Sequence, residues 1–225
     1  MIVRFARHGQ PALSGMPKGG NYEFPPGDPV LTPLGREQAE FLGGYLRRSG
    51  FRGRVISSPY ARAVETASIV AEACGLDIYL EPRIQEMRFY PDPSCPGLTL
   101  AELRRNYPNI APDAVLGHPW ITPGGAEGLS AVQARVDEFV AELLAAPPAD
   151  DVLLIAHGAP LHALKVNFLA RAKFEGPEGY NWNCSLSSFR IDGDKTELLE
   201  LCRYDFMPTE CVTSNRRLFG DPECV

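Results

Sequence analysis

Arginine and histidine side chains follow directly after the most apolar runs of this sequence, where a buried strand would give way to its loop. Arg7 and His8 follow the first apolar run, His157 follows the most strand-like run, and Arg62 comes shortly after a third. Arginine binds anions with several oxygens through paired hydrogen bonds, so phosphate is the natural ligand of such a group. These four side chains are therefore candidates for a phosphate site.

The two imidazoles could either bind a phosphoryl group or attack it. A neutral histidine nitrogen is a competent nucleophile, and its attack on phosphorus gives a phosphohistidine intermediate. Phosphoryl transfer requires in-line positioning and charge neutralisation, which the two arginines and the second histidine could supply. This chemistry needs no metal, and no pair of the four histidines has the spacing of zinc ligands. We therefore expect neither a metal nor a cofactor.

The leaving oxygen in such a reaction needs a proton donor within hydrogen-bond reach. Glu86 follows the third predicted strand and precedes an irregular segment, so its carboxylate could overlook the pocket from the rim. A purely structural role for Glu86 stays open. Each of the other residues also has an ordinary alternative when taken alone: Arg62 as a solvated helix residue, for example, or His157 as a core histidine.

Strand-like and helix-like runs alternate along the chain, and they must bring these side chains together. Alternation of strands with capped helices predicts a three-layer α/β/α sandwich with a mostly parallel central sheet. In such sheets ligands bind outside the carboxyl ends of the strands, so the three apolar runs would deliver their polar residues to one place. The predicted strands are residues 2–6, 55–59, 78–80 and 151–158, followed by a hairpin of residues 185–191 and 196–202.

Capping residues predict where the helices begin. Thr32 before Pro33, and Ser58 before Pro59, have the pattern of an N-cap followed by proline at the first helical position. The tetrapeptide S-A-V-Q that starts at Ser130 has the form of a capping box. The helix after Ser58 would direct the positive end of its dipole toward the proposed phosphate site.

The chain is predicted to form a single domain over residues 1–225, with two irregular parts and one long loop. Residues 11–31 are rich in proline and glycine and are interpreted as a surface loop. The regular pattern breaks again at about 88–125, which we interpret as a cap insertion with a short helix at 99–106. The irregular C-terminal tail, at about 204–225, has no evident role.

Composition excludes several classes of protein. Hydrophobic residues make up 44% of the 225 residues and charged residues 22%, which is typical of a globular protein. The net charge of -6 argues against nonspecific binding to nucleic acid or to an anionic membrane. No run approaches the ~20 apolar residues of a transmembrane helix, and the first strand leaves no room for a signal peptide, so we expect a cytoplasmic protein.

The six cysteines are scattered, with no C-x-x-C spacing, which favours free thiols in a reducing compartment. They are Cys74, Cys95, Cys184, Cys202, Cys211 and Cys224. Of the two histidines outside the proposed site, His118 lies in the cap insertion and His162 on the helix after Gly158, and we expect neither to be catalytic. No motif indicates the oligomeric state.

The order of these motifs resembles the histidine phosphatase superfamily, also called the phosphoglycerate mutase-like family. The resemblance covers residues 2 to about 170. It rests on Arg7-His8-Gly9 after an N-terminal strand, LTPLGREQA (31–39), SSPYARAVETA (57–67), a glutamate after the third strand, GGAEGLSAVQARV (124–136) and LLIAHG (153–158). The tripeptide alone is weak evidence, but its ordered combination with the later motifs is specific.

The resemblance implies a role for each matching residue. His8 is the nucleophile that becomes phosphorylated, while Arg7, Arg62 and His157 hold the phosphoryl oxygens. Glu86 is the proton donor and later the base for the attacking water. Gln10 and the backbone near Gly158 complete the pocket.

Two departures from the family pattern accompany these roles. The sequence after Glu86 is MRFYPDPSCPG, which lacks the glycine and the aromatic-x-Gly turn that family members often have there. The family's G-E-S is replaced by Ala126-Glu127-Gly128, where Glu127 matches the family glutamate.

The function that follows is a metal-independent phosphomonoesterase, acting on a small phosphorylated metabolite because the cap insertion is short and rich in proline. One alternative is a mutase of the phosphoglycerate type, in which Arg104 and Arg105 would bind the substrate's carboxylate; a solvated surface is the ordinary interpretation of that pair. Another is a phosphate- or phosphopeptide-binding module without catalysis.

Overall fold

Six strands form one mixed sheet in the computed structural model, which describes residues 1–12, 28–88, 96–121 and 126–214. The strands are β1 (Ile2–Arg7), β2 (Arg54–Ser57), β3 (Ile78–Leu80), β4 (Asp151–Ala156), β5 (Leu186–Asp192) and β6 (Lys195–Arg203). Their order across the sheet is β3-β2-β4-β1-β5-β6. The first four are parallel to one another, and β5 and β6 form an antiparallel hairpin at one edge.

Helices cover both faces of this sheet. They are α1 (Pro33–Arg48), α2 (Ala61–Cys74), α3 (Leu100–Asn106), α4 (Leu129–Ala145) and α5 (Gly158–Arg171). Helices α1, α2 and α3 share one hydrophobic core with one face of the sheet, and α4 and α5 share a second core with the other face. The predicted three-layer α/β/α sandwich with a mostly parallel sheet is therefore confirmed.

The central position of β4 explains why its residues are apolar without interruption. Leu153 and Ile155 point into the core beneath α1 and α2, whereas Leu154 and Ala156 point into the core beneath α4 and α5. Successive side chains of a strand face opposite sides, so a strand covered on both faces needs apolar residues at every position.

The helix starts agree with the sequence only in part. Thr32 caps α1 as predicted, because its Oγ1 accepts a hydrogen bond from Gly35 N at 2.9 Å and Pro33 occupies the first turn. The Ser58 prediction is wrong, since α2 begins at Ala61 after Tyr60. The Ser130 prediction is wrong too: the N-cap of α4 is Gly128, two residues before Ser130, and no side chain caps this helix.

The part of the cap insertion that the structure describes, residues 96–121, packs on the main core. Thr99 and Glu102 form a capping box at the start of α3, close to the predicted 99–106. Leu103 and Tyr107 are buried in the core that α1 and α2 share. Phe89, Tyr90 and Cys95 lie outside the described residues, and the division of the chain into domain and cap insertion stays a prediction.

The end of the predicted surface loop is buried, which corrects that prediction for residues 28–31. Asp28 is 1% exposed and Leu31 is inaccessible. Leu31 pairs with Pro11 in an antiparallel bridge, and its N–H donates to the Glu65 carboxylate at 2.9 Å. Residues 13–27 of this loop lie outside the described residues.

Four cysteines in the described residues are free thiols: Cys74, Cys184, Cys202 and Cys211. Cys224 lies outside the described residues. Among the described residues, no helix is long and apolar enough to cross a membrane. The described part of the tail, residues 204–214, is irregular apart from a 3-10 turn at Thr209–Cys211.

Candidate active site

Two histidines meet at the carboxyl ends of the neighbouring strands β1 and β4. Arg7 is paired with Ala156 in the parallel register, so the next residues, His8 and His157, leave the sheet side by side. His8 N also donates to Ala156 O at 3.0 Å. The two imidazole centroids are 4.9 Å apart, and both side chains are buried.

Hydrogen bonding fixes the tautomer of His8. Its Nδ1 lies 2.7 Å from Gly9 O, and a carbonyl oxygen only accepts, so Nδ1 carries the proton. The lone pair is therefore on Nε2, which faces Arg62 Nε at 3.4 Å. Burial, followed by the charges of Arg62 and Arg7, lowers the pKa of His8 well below its ordinary value. The ring is consequently a neutral base whose unprotonated Nε2 accepts a hydrogen bond from Arg62 Nε.

Two guanidinium groups flank these imidazoles. Arg62 lies in the first turn of α2, which follows β2. Arg7 ends β1, and its Nη1 donates to Asn181 O at 3.1 Å. Its Nε is buried and has no hydrogen-bond partner among the described residues. A buried N–H without a partner is costly, so this atom is suited to an anionic ligand.

One ring nitrogen of the buried His157 has a hydrogen-bond partner among the described residues, and the other has none. Its Nε2 lies 2.8 Å from Ser58 Oγ, while its Nδ1 is buried without a hydrogen-bond partner in the described part of the chain. Burial and the nearby Arg62 lower the pKa of His157 well below its ordinary value, so the ring is neutral. The Ser58 hydroxyl is thus engaged by a side chain 99 residues away, which explains why it does not cap α2.

Glu86 contacts the first turn of α5, the helix that begins directly after His157. Its Oε1 accepts hydrogen bonds from Met87 N at 2.9 Å and from Ala159 N at 3.2 Å. Burial lowers the pKa of Arg7, and the charges of Tyr180 and Glu86 oppose that shift, so the Glu86 carboxylate lies within electrostatic range of this guanidinium. The half-buried carboxylate can therefore meet a group bound between the arginines.

A partly buried ion pair fixes the segment that carries Glu86. Arg135 on α4 binds Glu127 through two nearly parallel hydrogen bonds of 2.8 and 3.1 Å. The same guanidinium donates to the carbonyls of Arg83 and Gln85, the latter at 2.8 Å. Glu127 therefore has a definite task in this chain despite the departure from the family pattern around it.

The remaining predicted site residues make their contacts elsewhere. Gln10 Oε1 accepts from Thr32 Oγ1 at 2.9 Å, so this side chain lies on the start of α1. Arg104 Nη2 donates to the carbonyls of Ala111, Pro112 and Ala114, at 2.6, 2.9 and 3.3 Å, and Arg105 is exposed. None of these contacts joins them to the two histidines, and their roles in phosphate or substrate binding stay predictions.

Histidines 118 and 162 are also remote from the described contacts of the site. His118 is exposed, with Nε2 lying 3.1 Å from Gly97 O. His162 is half exposed, and its Nδ1 lies 3.9 Å from a Glu178 oxygen. Among the described residues there is no group of three or more histidine, cysteine or acidic side chains that could hold a metal ion.

Sequence reasoning missed a polar network beneath the His8 loop. Asn183 Nδ2 donates to His8 O at 2.9 Å, and its Oδ1 accepts from Thr213 Oγ1 at 3.1 Å. Gln38 accepts from Gln10 N at 2.8 Å and donates to Thr213 Oγ1 at 2.7 Å. The described end of the tail thus supports the His8 loop through two amide side chains.

The His8 loop also touches the first turn of α1 backbone to backbone. A Cβ on Gly9 would lie 2.2 Å from Gly35 O, and a Cβ on Gly35 would lie 2.2 Å from Gln10 O. Neither contact tolerates a side chain, which gives the glycines of R-H-G and L-T-P-L-G a steric reason.

Comparisons with known proteins agree with this geometry. The model of the histidine phosphatase superfamily (branch 1) matches residues 3–203. A probable phosphoglycerate mutase GpmB of Enterobacter sp. (strain 638) is 32% identical over 169 residues, covering 73% of this chain and 74% of that protein.

The bifunctional protein Rv2228c of Mycobacterium tuberculosis is also 32% identical, over 158 residues. That match covers 70% of this chain but 41% of the longer relative. Among solved structures, a mycobacterial glucosyl-3-phosphoglycerate phosphatase with VO3 superposes with a TM-score of 0.57 at 26% identity, covering 89% of this chain and 98% of that chain.

Proposed function

This chain belongs to the histidine phosphatase superfamily, and we propose that it is a metal-independent phosphomonoesterase that transfers the phosphoryl group of a small phosphate ester to His8 and then to water. One observation carries the proposal. The unprotonated Nε2 of the neutral, buried His8 lies 3.4 Å from Arg62 Nε. A second buried imidazole, that of His157, and a second guanidinium, that of Arg7, lie close to this ring. A nucleophile surrounded by anion-binding donors is suited to attack phosphorus.

In the first step His8 Nε2 attacks phosphorus and the ester P–O bond breaks. Arg7 and Arg62 neutralise the charge of the phosphoryl oxygens, and His157 Nδ1–H donates to one of them. That donation requires His157 Nε2 to accept the proton of Ser58 Oγ, 2.8 Å away. Glu86, in its protonated form, gives its proton to the leaving oxygen.

In the second step water attacks the phosphohistidine. Glu86, now a carboxylate, takes a proton from that water as the P–N bond breaks, and inorganic phosphate leaves. His8 Nε2 regains its lone pair, while the Nδ1–H of His8 remains hydrogen-bonded to Gly9 O throughout. The cycle balances without a metal or a redox partner.

The contacts of Arg104 in the cap insertion support hydrolysis over the mutase alternative. A mutase must hold the substrate's carboxylate, and Arg104 Nη2 already donates to three backbone carbonyls of the cap insertion. A relative of this chain is named a probable phosphoglycerate mutase, so mutase activity is the alternative to test.

The test is a panel of small phosphate esters assayed for release of inorganic phosphate, with isomerisation of phosphoglycerate measured in parallel. Release without isomerisation, together with an acid-labile, base-stable protein phosphate in quenched reactions, is the expected result. Isomerisation faster than phosphate release would establish the mutase. Tight phosphate binding with no turnover of any ester would indicate a binding module.

A further inference from the structure

A buried carboxylate, that of Asp28, lies at the N-terminus of α2. Asp28 is 1% exposed, and both of its carboxylate oxygens accept from Ala61 N, at 2.8 and 3.0 Å. Neither the family resemblance nor the motifs assigned it a role. It comes from the proline-rich stretch before α1, 33 residues earlier in the chain than Ala61.

Helix α2 needs this carboxylate because its own sequence lacks a cap. Its N-cap residue, Tyr60, makes no side-chain capping bond, and its first turn contains no acidic residue. That turn instead carries Arg62, and a cation at the positive end of a helix dipole is unfavourable. Asp28 supplies both the capping acceptor and the opposing charge, with Oδ1 lying 3.7 Å from Arg62 Nη1.

The guanidinium that meets Asp28 is the one that meets the nucleophile. Arg62 Nη1 faces Asp28, and Arg62 Nε faces His8 Nε2 at 3.4 Å. A guanidinium is planar and rigid, so a contact that fixes one nitrogen also fixes the direction of the others. A carboxylate on the Nη1 side therefore sets the angle at which Nε addresses the atoms around His8.

We propose that Asp28 is a positioning residue, whose carboxylate orients Arg62 toward the phosphoryl group that His8 receives. The inference rests on the proposed function and adds a residue to it. The energetics support it: burial raises the pKa of Asp28 to about 6, against the opposing effects of Arg62 and the Ala61 N–H. A charge that the fold carries at a cost in its own stability is characteristic of functional sites.

The chain offers a matched control for this carboxylate. Glu65 on α2 is also buried, accepts from the backbone N–H of Leu31 and forms an ion pair with Arg36. Arg36, however, makes no described contact with either histidine of the site. Glu65→Gln thus removes the same kind of buried charge and the same kind of ion pair without disturbing Arg62.

The first experiment compares Asp28→Asn with Glu65→Gln by titrating each with orthovanadate and by measuring kcat/KM for an aryl phosphate. We expect Asp28→Asn to raise the vanadate Kd about tenfold and to lower kcat/KM by about 10- to 100-fold, because a misdirected guanidinium acts poorly in the transition state. Glu65→Gln should leave both values within about twofold of wild type. Equal effects of the two substitutions would overturn the proposal.

A double-mutant cycle separates positioning from simple structural support. If Asp28 acts through Arg62, Asp28→Asn lowers kcat/KM in the wild-type chain but changes it little in an Arg62→Ala background. Additive losses would overturn the inference. Should Asp28→Asn fail to fold by circular dichroism, Asp28→Ser takes its place in both experiments.

The binding readout keeps this inference separate from the proposed function. A vanadate Kd that responds to Asp28→Asn but not to Glu65→Gln supports positioning even if no ester is hydrolysed. Conversely, turnover that is unaffected by Asp28→Asn leaves the phosphatase intact and removes Asp28 from its machinery.

Discussion

His8 and His157 lie with their ring centroids 4.9 Å apart because the residues before them, Arg7 and Ala156, are paired across the parallel strands β1 and β4. Two positions separated by most of the chain are thus brought together by strand register alone. A register shift of one residue would turn each side chain to the opposite face of the sheet. The sheet is therefore what aligns the proposed nucleophile with its neighbouring imidazole.

Replacing His8 with alanine should abolish turnover and preserve anion binding. Without the covalent route, we expect kcat for an aryl phosphate to fall by about 10³-fold or more. Orthovanadate should still bind, because Arg7, Arg62 and His157 remain. His162→Ala, on the half-exposed side of α5, is the matched control. A His8→Ala protein with wild-type turnover would refute the nucleophile assignment.

Replacing Glu86 with glutamine should slow the enzyme according to the leaving group. Proton donation matters most for alkyl phosphates, whose leaving oxygen is strongly basic, and little for nitrophenyl phosphate. We expect kcat to fall about 10²- to 10³-fold for the former and less than about tenfold for the latter. The exposed Glu72→Gln serves as control. An equal loss with both esters would argue that Glu86 is structural.

The sequence predicted those site residues that lie at strand ends. It did not predict those that reach the site through contacts between irregular segments. Arg7, His8 and His157 follow apolar strands, and a local pattern suffices to place such residues at one edge of a parallel sheet. Asp28 and Asn183 lie in irregular segments, where no periodicity indicates which distant atom a polar side chain will meet.

Ser58 shows how a tertiary contact can override a local signal. Its position before Pro59 predicts an N-cap, but its hydroxyl forms a hydrogen bond with His157 Nε2 instead, at 2.8 Å. The cap of α2 then comes from Asp28, which is distant in sequence. At Ser130 the described residues offer no such competitor; the N-cap of α4 is Gly128, two residues before the predicted one.

Ser58→Ala should weaken phosphate binding by removing the partner that holds the proton of His157 on Nδ1. We expect the Kd for inorganic phosphate to rise about tenfold, equivalent to about 1.4 kcal/mol, the size of one hydrogen bond to a charged ligand. The adjacent Ser57→Ala is the control, because Ser57 Oγ donates to Ser58 O at 2.8 Å rather than to a histidine. Equal affinities in the two variants would contradict the tautomer assignment.

Stability should fall as the pH drops below about 6.5, the ordinary histidine pKa. Both His8 and His157 have a lowered pKa in the folded state, so the unfolded chain takes up protons first and gains stability relative to the folded one. Asp28, with its pKa raised to about 6, has the opposite sign: it favours the folded state as the pH falls from about 6 toward 4.

The measurement is urea unfolding at pH 7.5, 6.5 and 5.5 for wild type and His157→Gln. Removing one buried histidine should reduce the loss of unfolding free energy between pH 6.5 and 5.5 by about 1 kcal/mol. His162→Gln should retain the wild-type dependence. If His157→Gln and wild type lose stability in parallel, His157 is not held neutral in the fold.

The contact of Gly9 with Gly35 limits how relatives of this enzyme can diversify. Because a Cβ on either glycine would lie 2.2 Å from a backbone oxygen, neither position can gain a side chain unless the main chain moves. Changes in substrate preference are therefore expected at other positions of the site. Libraries for directed evolution of this protein should leave both glycines unchanged.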